Sequence, residues 1–111
     1  MANIFKNALS KSVGTSAVTV YSAPTSPAMK SICIELDVCN TSNAAVLCDA
    51  FITHTGQDYY IVKGAPVPVG GSLQIVAGQK IVLDGANSDS LKIVSSAAAS
   101  LDCIASILEN V

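Results

Sequence analysis

The segment Ser31–Cys39, with the sequence SICIELDVC, indicates the fold class because apolar and other side chains alternate along it. The large aliphatic side chains are Ile32, Ile34, Leu36 and Val38. The residues between them are Cys33, Glu35, Asp37 and Cys39. Successive side chains of a strand point to opposite faces, so this pattern predicts a half-buried strand of an antiparallel sheet. Cys33 and Cys39 fall on the outer face with the acids, and we expect them to be the most accessible cysteines.

Further short apolar segments follow one another along the chain, separated by residues that favour turns. The predicted strands are 17–21, 31–38, 45–54, 59–63, 72–76, 80–83, 90–95 and 101–108. The sequence Ala77-Gly78-Gln79 predicts a tight turn that pairs strand 80–83 with strand 72–76. About eight short strands without a long helix predict an all-β fold, a single-domain antiparallel β-sandwich or jelly roll.

Residues 1–14 are predicted to form a short N-terminal arm, and residues 15–111 the β-sandwich domain. Ile4, Phe5, Ala8 and Leu9 have helix-like spacing, and Gly14 ends the segment. The arm could form a lid over one end of the fold or reach a neighbouring subunit. The candidate intersubunit contacts are Phe5, Leu9, Cys33 and Cys39.

The composition points to a surface that is covered by other protein molecules. Hydrophobic residues make up 50% of the 111 residues and charged residues only 13%. An ordinary soluble domain has about 25% charged residues, so we expect a homo-oligomer, a trimer or larger. The six Lys, the absence of Arg and the net charge of −2 argue against nucleic-acid binding. No apolar segment suits a membrane span or a signal peptide, and synthesis in the cytoplasm is expected.

The residues that could support chemistry have spacings that argue against a site. His54 is six positions from Cys48 on an extended strand, too far for a nucleophile–base pair. Glu35 and Asp37 share a strand face but fit a solvated surface better than paired catalysis. The loop Asp84–Asp89 lacks the alternating ligands and the final Glu of a calcium loop. We therefore expect no catalytic residue, no metal ligand and no cofactor, and hence no enzyme.

Two features of the sequence leave alternatives open. The four cysteines lack zinc or redox spacing and are expected to be free and mostly buried. A disulfide with another strand or another subunit is the alternative. The adjacent Tyr59 and Tyr60, with the loop Asp84–Asp89, would suit a module that binds host glycans, although packing is the simpler interpretation.

The order of strand and turn motifs resembles a family of small bacteriophage virion structural proteins over nearly the whole chain. The matching segments are Phe5-Lys6-Asn7-Ala8, Val13-Gly14-Thr15, Thr19-Val20-Tyr21, Ala23-Pro24, Asn40-Thr41-Ser42, Tyr60-Ile61-Val62-Lys63, Pro66-Val67-Pro68, Gly71-Ser72-Leu73, Gly78-Gln79-Lys80-Ile81-Val82-Leu83, Asp89-Ser90-Leu91-Lys92-Ile93, Leu101-Asp102 and Leu108-Glu109. These motifs specify a fold and a particle context rather than a site. The cysteines depart from the Val or Thr usual in the family, which leaves room for a redox role.

The resemblance implies a non-enzymatic protein located in the virion. Its first implication is a capsid decoration or cement protein that assembles in multiple copies and stabilises the particle. A neck, tail or baseplate component is the alternative. The implied partners are further copies of the chain and other virion proteins such as the major capsid protein.

Overall fold

The computed structural model describes residues 3–110 and consists almost entirely of β-strands. The strands are β1 (Asn3–Val13), β2 (Val18–Ser22), β3 (Lys30–Asn40), β4 (Val46–His54), β5 (Gln57–Val67), β6 (Ser72–Asp84), β7 (Ser90–Ser95) and β8 (Leu101–Asn110). A single turn of 3₁₀ helix, Gly85–Asn87, lies between β6 and β7. The strands form two four-stranded sheets with the orders β1-β8-β3-β6 and β2-β7-β4-β5.

The pairing of the strands is that of one long hairpin rolled into a sandwich. Strand β4 pairs with β5, β3 with β6, β2 with β7 and β1 with β8, all antiparallel. The pairs β3–β8 and β4–β7 then join these hairpin arms into the two sheets. This arrangement is a jelly roll, so the predicted fold class and the number of strands are confirmed.

The interior between the sheets contains aliphatic and thiol side chains. Its largest fully buried apolar members are Leu36, Leu83, Leu91, Ile93, Leu101, Ile107, Val13, Val38, Val67, Val76 and Cys33. These side chains come from both sheets, and they form one hydrophobic cluster. Burying such side chains is the main favourable contribution to folding.

A β-bulge in β3 changes which residues face the interior. The register of β3 shifts between Cys33 and Glu35 against both neighbours, β6 and β8, so Ile34 is an extra residue. Before the bulge Cys33 faces inward and is 0% exposed, and after it Leu36 faces inward. The prediction that Cys33 is accessible is therefore wrong. Cys39, which follows the bulge, is exposed as predicted.

Strand β6 contains a second irregularity, opposite the bulge in β3. Cys33 lies opposite Ile81 and Glu35 lies opposite Ala77, so β6 accommodates three residues between these two partners. Gly78 and Lys80 in this segment have positive φ values of 93° and 64°. The predicted turn at 77–79 does not fold strand 80–83 back onto 72–76, because both halves pair with β3. The predicted hairpin is wrong.

The N-terminal segment is a strand at the edge of a sheet. Strand β1 pairs with β8 without a register shift from Asn3 to Ser10. Its helix-like spacing is therefore misleading, because Phe5 and Leu9 project from the same face of a strand. Residues 1 and 2 of the predicted arm lie outside the described range. Contact of this segment with a neighbouring subunit stays a prediction.

Truncating a side chain between the sheets tests the packing. Leu36 is fully buried, and we expect Leu36→Ala to lower the free energy of unfolding by about 2–5 kcal/mol, because it leaves a cavity. Leu47→Ala is the matched control, since Leu47 is half exposed on β4, and its effect should stay within about 0.5 kcal/mol. Urea denaturation followed by circular dichroism measures both. Equal losses would contradict the assigned interior.

Candidate interaction surface

The outer face of the sheet β1-β8-β3-β6 has an apolar row that crosses all four strands. Phe5 lies opposite Leu108, Leu108 opposite Ile32, and Ile32 opposite Val82. Phe5 is 76% exposed and Val82 57% exposed, so the two ends of this row are the most open. Direct cross-strand neighbours have Cβ atoms about 4.5–5.5 Å apart, so the four side chains form a continuous strip.

A second row on the same face mixes apolar and polar side chains. Leu9 lies opposite Ile104, which lies opposite Asp37. Leu9 is 63% exposed and Ile104 56% exposed. An antiparallel sheet that faced only water would have polar residues at these positions. We define the outer apolar surface as both groups together: Phe5, Leu9, Ile32, Val82, Ile104 and Leu108. The polar row Asn7, Ser106 and Glu35 lies between the two groups. Exposed apolar side chains grouped in this way mark interaction sites.

Two acids, Glu35 and Asp37, lie within this face. The Oδ1 atom of Asp37 is buried and has no hydrogen-bond partner among the described residues. Burial, then a hydrogen bond shared with Glu35, and then the charge of Glu35 together raise the pKa of Asp37 to about 6. The centre of the face therefore loses negative charge at mildly acidic pH.

A partly buried polar cluster centred on Glu109 lies beside β1, and sequence reasoning missed it. Glu109 of β8 is 4% exposed, its Oε1 lies 3.3 Å from the Nζ of Lys6, and it accepts a hydrogen bond from the Tyr21 hydroxyl. The same hydroxyl is 2.9 Å from the Oγ of Ser31. Burial, and then the hydrogen bond to Glu109, raises the pKa of Tyr21 to about 12. The cluster joins β1, β2, β3 and β8.

The sequence contained a signal for this cluster. Glu109 has the same alternation phase as the inward-facing residues of β8, which are Leu101, Cys103, Ala105 and Ile107. An acid at an inward position requires a buried partner, because an unpaired charge in an apolar interior is very costly. The identity of the partners could not be deduced, since they belong to two other strands.

The cysteines divide into three buried thiols and one exposed thiol. Cys33, Cys48 and Cys103 are buried between the sheets, Cys39 is exposed, and all four are free. Burial raises the pKa of Cys33 and of Cys48 to about 11, and that of Cys103 to about 12. Because the thiolate is the reactive form, the three buried thiols are protected by both burial and protonation.

His54 is held by an acid rather than placed beside a thiol. Its Nδ1 lies 2.5 Å from Oδ1 of Asp89, and Oδ2 of Asp89 accepts a hydrogen bond from the backbone N–H of Asp84 at 2.9 Å. These contacts fasten the loop between β6 and β7 to the end of β4. Cys48 points into the interior of the sandwich, so the structure does not bring His54 and Cys48 together.

The loop Asp84–Asp89 uses its carboxylates for backbone contacts. Oδ1 of Asp84 accepts a hydrogen bond from the backbone N–H of Ala86 at 3.0 Å, which caps the 3₁₀ turn. Within residues 3–110, the His, Cys, Asp and Glu side chains form no group of three or more that could hold a metal ion.

The two tyrosines at the start of β5 make contacts with neighbouring side chains. The Tyr60 ring centroid is 4.9 Å from that of Phe51, and the Nζ of Lys63 lies 4.4 Å from the Tyr60 centroid. A sugar stacking on Tyr60 would compete with both contacts. Tyr59 lies edge-on to His54, with centroids 6.1 Å apart.

In residues 3–110 there is no helix of the length and apolar character that would cross a membrane.

Comparison with known proteins supports the fold assignment alone. No protein-family model and no curated protein matches the sequence. A VP2 protein mutant of infectious bursal disease virus is similar in structure, with a TM-score of 0.54, 14% identity and coverage of 96% of this chain and 31% of that chain. A VP2 subviral particle of the same virus gives a TM-score of 0.51, 15% identity and coverage of 97% and 32%. The chain thus spans about a third of the length of these viral proteins.

A bacterial structure shares the overall shape more weakly. Bacillus endospore appendages, described as disulfide-linked pili, match with a TM-score of 0.44 and 12% identity, over 96% of this chain and 86% of that chain. The strand pairing itself defines the class, a single jelly-roll domain, and jelly rolls occur in viral capsid proteins and lectins.

Thiol labelling tests the burial of the cysteines. A maleimide should modify one of the four cysteines of the native protein, Cys39, and all four after denaturation. The control Cys39→Ser should abolish the native reaction and leave the three buried thiols for the denatured protein. Rapid modification of Cys33 in the native state, detected by mass spectrometry, would contradict the inward position that the bulge gives it.

Replacing Asp37 tests the electrostatics of the outer face. Its raised pKa means that the folded protein binds more protons than the unfolded chain between the ordinary value of 3.8 and about 6. The contribution of Asp37 to stability is therefore lost as pH rises through this range. We expect Asp37→Asn to stabilise the protein at pH 7 by ~1 kcal/mol after solvent screening, with little change at pH 3.

Glu35→Gln is the companion variant, because it removes the second source of the raised pKa. It should flatten the same pH dependence in part, while leaving the burial of Asp37 in place. Urea titrations at pH 3, 5 and 7 measure the free energy of unfolding of both variants. A wild-type stability that increases from pH 4 to pH 6 by an amount that depends on Asp37 would contradict the sign.

Proposed function

We propose that this chain is a non-enzymatic structural protein of a virus particle, and more specifically a decoration or cement protein on a bacteriophage capsid. In this role it binds the particle in multiple copies and stabilises it. The outer apolar surface is the observation that supports the proposal most directly. It spans all four strands of one sheet of a jelly roll, a fold that capsid proteins use.

The low charge content supports a protein partner. Only 13% of the residues are charged, and the chain has no Arg. A surface of this kind suits docking to a protein lattice, where aliphatic and aromatic side chains become buried, better than it suits a phosphate backbone. The proposed partners are the major capsid protein and further copies of the chain.

The ionisable side chains that could take part in catalysis support a structural role as well. Asp89 holds His54, and Glu109 pairs with Lys6 beside β1. Each of these pairs joins segments that are distant in sequence. Such contacts stabilise the arrangement of strands and loops. A protein that acts by presenting a binding surface needs this arrangement to be fixed.

The amount and place of the protein in purified particles test this proposal. We expect about one copy for each repeated position of the capsid lattice, visible as a protrusion in an icosahedral reconstruction. If the particle instead contains only a small ring of copies at the neck, tail or baseplate, the alternative structural role replaces the decoration role. Absence of the protein from washed particles would overturn the virion proposal.

A variant of the outer apolar surface links that location to the surface. Val82→Glu places a charge at the exposed end of the apolar row and should weaken binding to particles that lack the protein by about tenfold or more. Leu47→Glu is the matched control, because Leu47 is similarly exposed but belongs to the other sheet. Equal binding of the two variants would show that the particle contacts a different face.

A further inference from the structure

The four sheet edges differ in how well they could accept another strand. Strand β6 is interrupted by the irregular segment that contains Gly78 and Lys80, and β2 has only five residues. Strand β5 has register shifts, a positive φ of 66° at Gly64, and Pro66. These features are typical of edges that are protected against pairing. Strand β1, in contrast, is regular from Asn3 to Ser10.

The outer edge of β1 is therefore the longest regular row of backbone N–H and C=O groups without a strand partner in residues 3–110. An inward-pointing lysine usually discourages pairing at such an edge. Here the charge of Lys6 is compensated by buried Glu109, with Nζ and Oε1 3.3 Å apart. The edge is thus regular, and its inward charge already has a partner.

We propose that a second copy of this chain pairs antiparallel with this edge, strand β1 against strand β1, about a two-fold axis at Asn7. This contact rests on the proposed assembly function and specifies one self-association surface within it. It joins the two sheets β1-β8-β3-β6 into one sheet of eight strands. The two-fold contact is a unit from which a larger assembly can be built.

The geometry of the sheet selects this register. A two-fold axis perpendicular to the sheet keeps the outer faces of both copies on the same side, so outer residues oppose outer residues. With the axis at Asn7, Phe5 of each copy lies opposite Leu9 of the other, and Asn7 lies opposite itself. Aromatic and aliphatic cross-strand pairs of this kind stabilise antiparallel sheets.

Like charges disfavour one neighbouring register, and backbone conformation disfavours the other. With the axis at Asn7, Lys6 lies opposite Ala8 and Lys11 opposite Asn3 of the second copy, so no cation faces a cation. An axis at Lys6 would place the two Lys6 side chains directly opposite each other and Phe5 opposite Asn7, so it would bring like charges together and lose the Phe5–Leu9 pairs. An axis at Ala8 would extend the pairing into Ser12, whose φ of 55° interrupts the regular strand.

The selected register also makes the outer apolar surface continuous between copies. The row Val82–Ile32–Leu108–Phe5 of one copy meets Leu9 of the other copy, which lies beside Ile104. The symmetry repeats this junction on the other side of the axis. The contact thereby covers part of Phe5 and Leu9, which are among the most exposed apolar side chains of the chain.

Site-specific cross-linking of the purified chain tests the register. In a Cys39→Ser background, Asn7→Cys should form a covalent dimer with a short thiol–thiol cross-linker, because the two introduced thiols lie on the axis. The variants Phe5→Cys and Leu9→Cys should cross-link efficiently when mixed and poorly when each is alone. Thr15→Cys is the control: Thr15 is exposed and lies outside the paired segment, so this variant should form no covalent dimer. Cross-linking at Thr15 equal to that at Asn7 would overturn the inference.

A charge exchange gives an independent test in solution. Phe5→Lys and Leu9→Glu should each weaken dimerisation by about tenfold or more, because each buries an unpaired charge. The double variant should recover affinity, since each introduced lysine then faces an introduced glutamate of the other copy. Sedimentation equilibrium measures association, and circular dichroism verifies the fold. A double variant no better than the weaker single variant would overturn the register.

The outcome separates this inference from the proposed function. A chain that is monomeric in solution and still occupies the capsid lattice, without cross-linking at Asn7, overturns the β1 contact and leaves the virion role intact. A dimer with the register described above, in a protein that is absent from particles, supports the β1 contact and overturns the virion role.

Discussion

The bulge at Ile34 in β3 is the local feature on which the arrangement of the structure depends. Strand β3 is hydrogen-bonded on both sides, to β6 and to β8, and its register shifts against both at the same place. Before the bulge Cys33 faces the interior, and after it Leu36 does. Side chains of a strand alternate strictly, so a single extra residue is the way to keep both segments packed. The irregular segment of β6 lies opposite this point and accommodates the change in β3.

The same bulge produces the composition of the outer face. Because the phase changes at Ile34, Ile32 points outward and completes the row that runs from Phe5 to Val82. Beyond the bulge Asp37 is outward, in the partly covered setting that raises its pKa to about 6. A uniformly alternating strand would have placed Ile32 inside and Cys33 outside. The candidate surface is therefore a consequence of how the interior is packed.

The sequence predicted the fold class well because alternation and turn residues are local signals. The segment Ser31–Cys39 and the turns between strands suffice to predict about eight strands and a sandwich. The bulge could not be predicted, because it depends on which strands flank β3 and on how their side chains pack. Helix-like spacing was misleading at Phe5 and Leu9, since positions four residues apart share a face in a strand as well as in a helix. Glu109 was the overlooked signal. It is an acid at a position of β8 that faces the interior, and it therefore indicated a buried polar contact.

The cluster around Glu109 explains how β1 can be both firmly held and available for pairing. Burying the Glu109 carboxylate is costly, and its partner Lys6 is half exposed to screening solvent, so the pair adds little net stability but can specify geometry. Here Glu109 contacts Lys6 of β1 and Tyr21 of β2, which ties the edge strand to both sheets. An edge strand held only by aliphatic contacts could shift its pairing register by two residues and still keep its apolar side chains on the same face. The polar contacts oppose that shift, fix the register of β1 against β8, and so determine which side chains its free edge presents to a second copy.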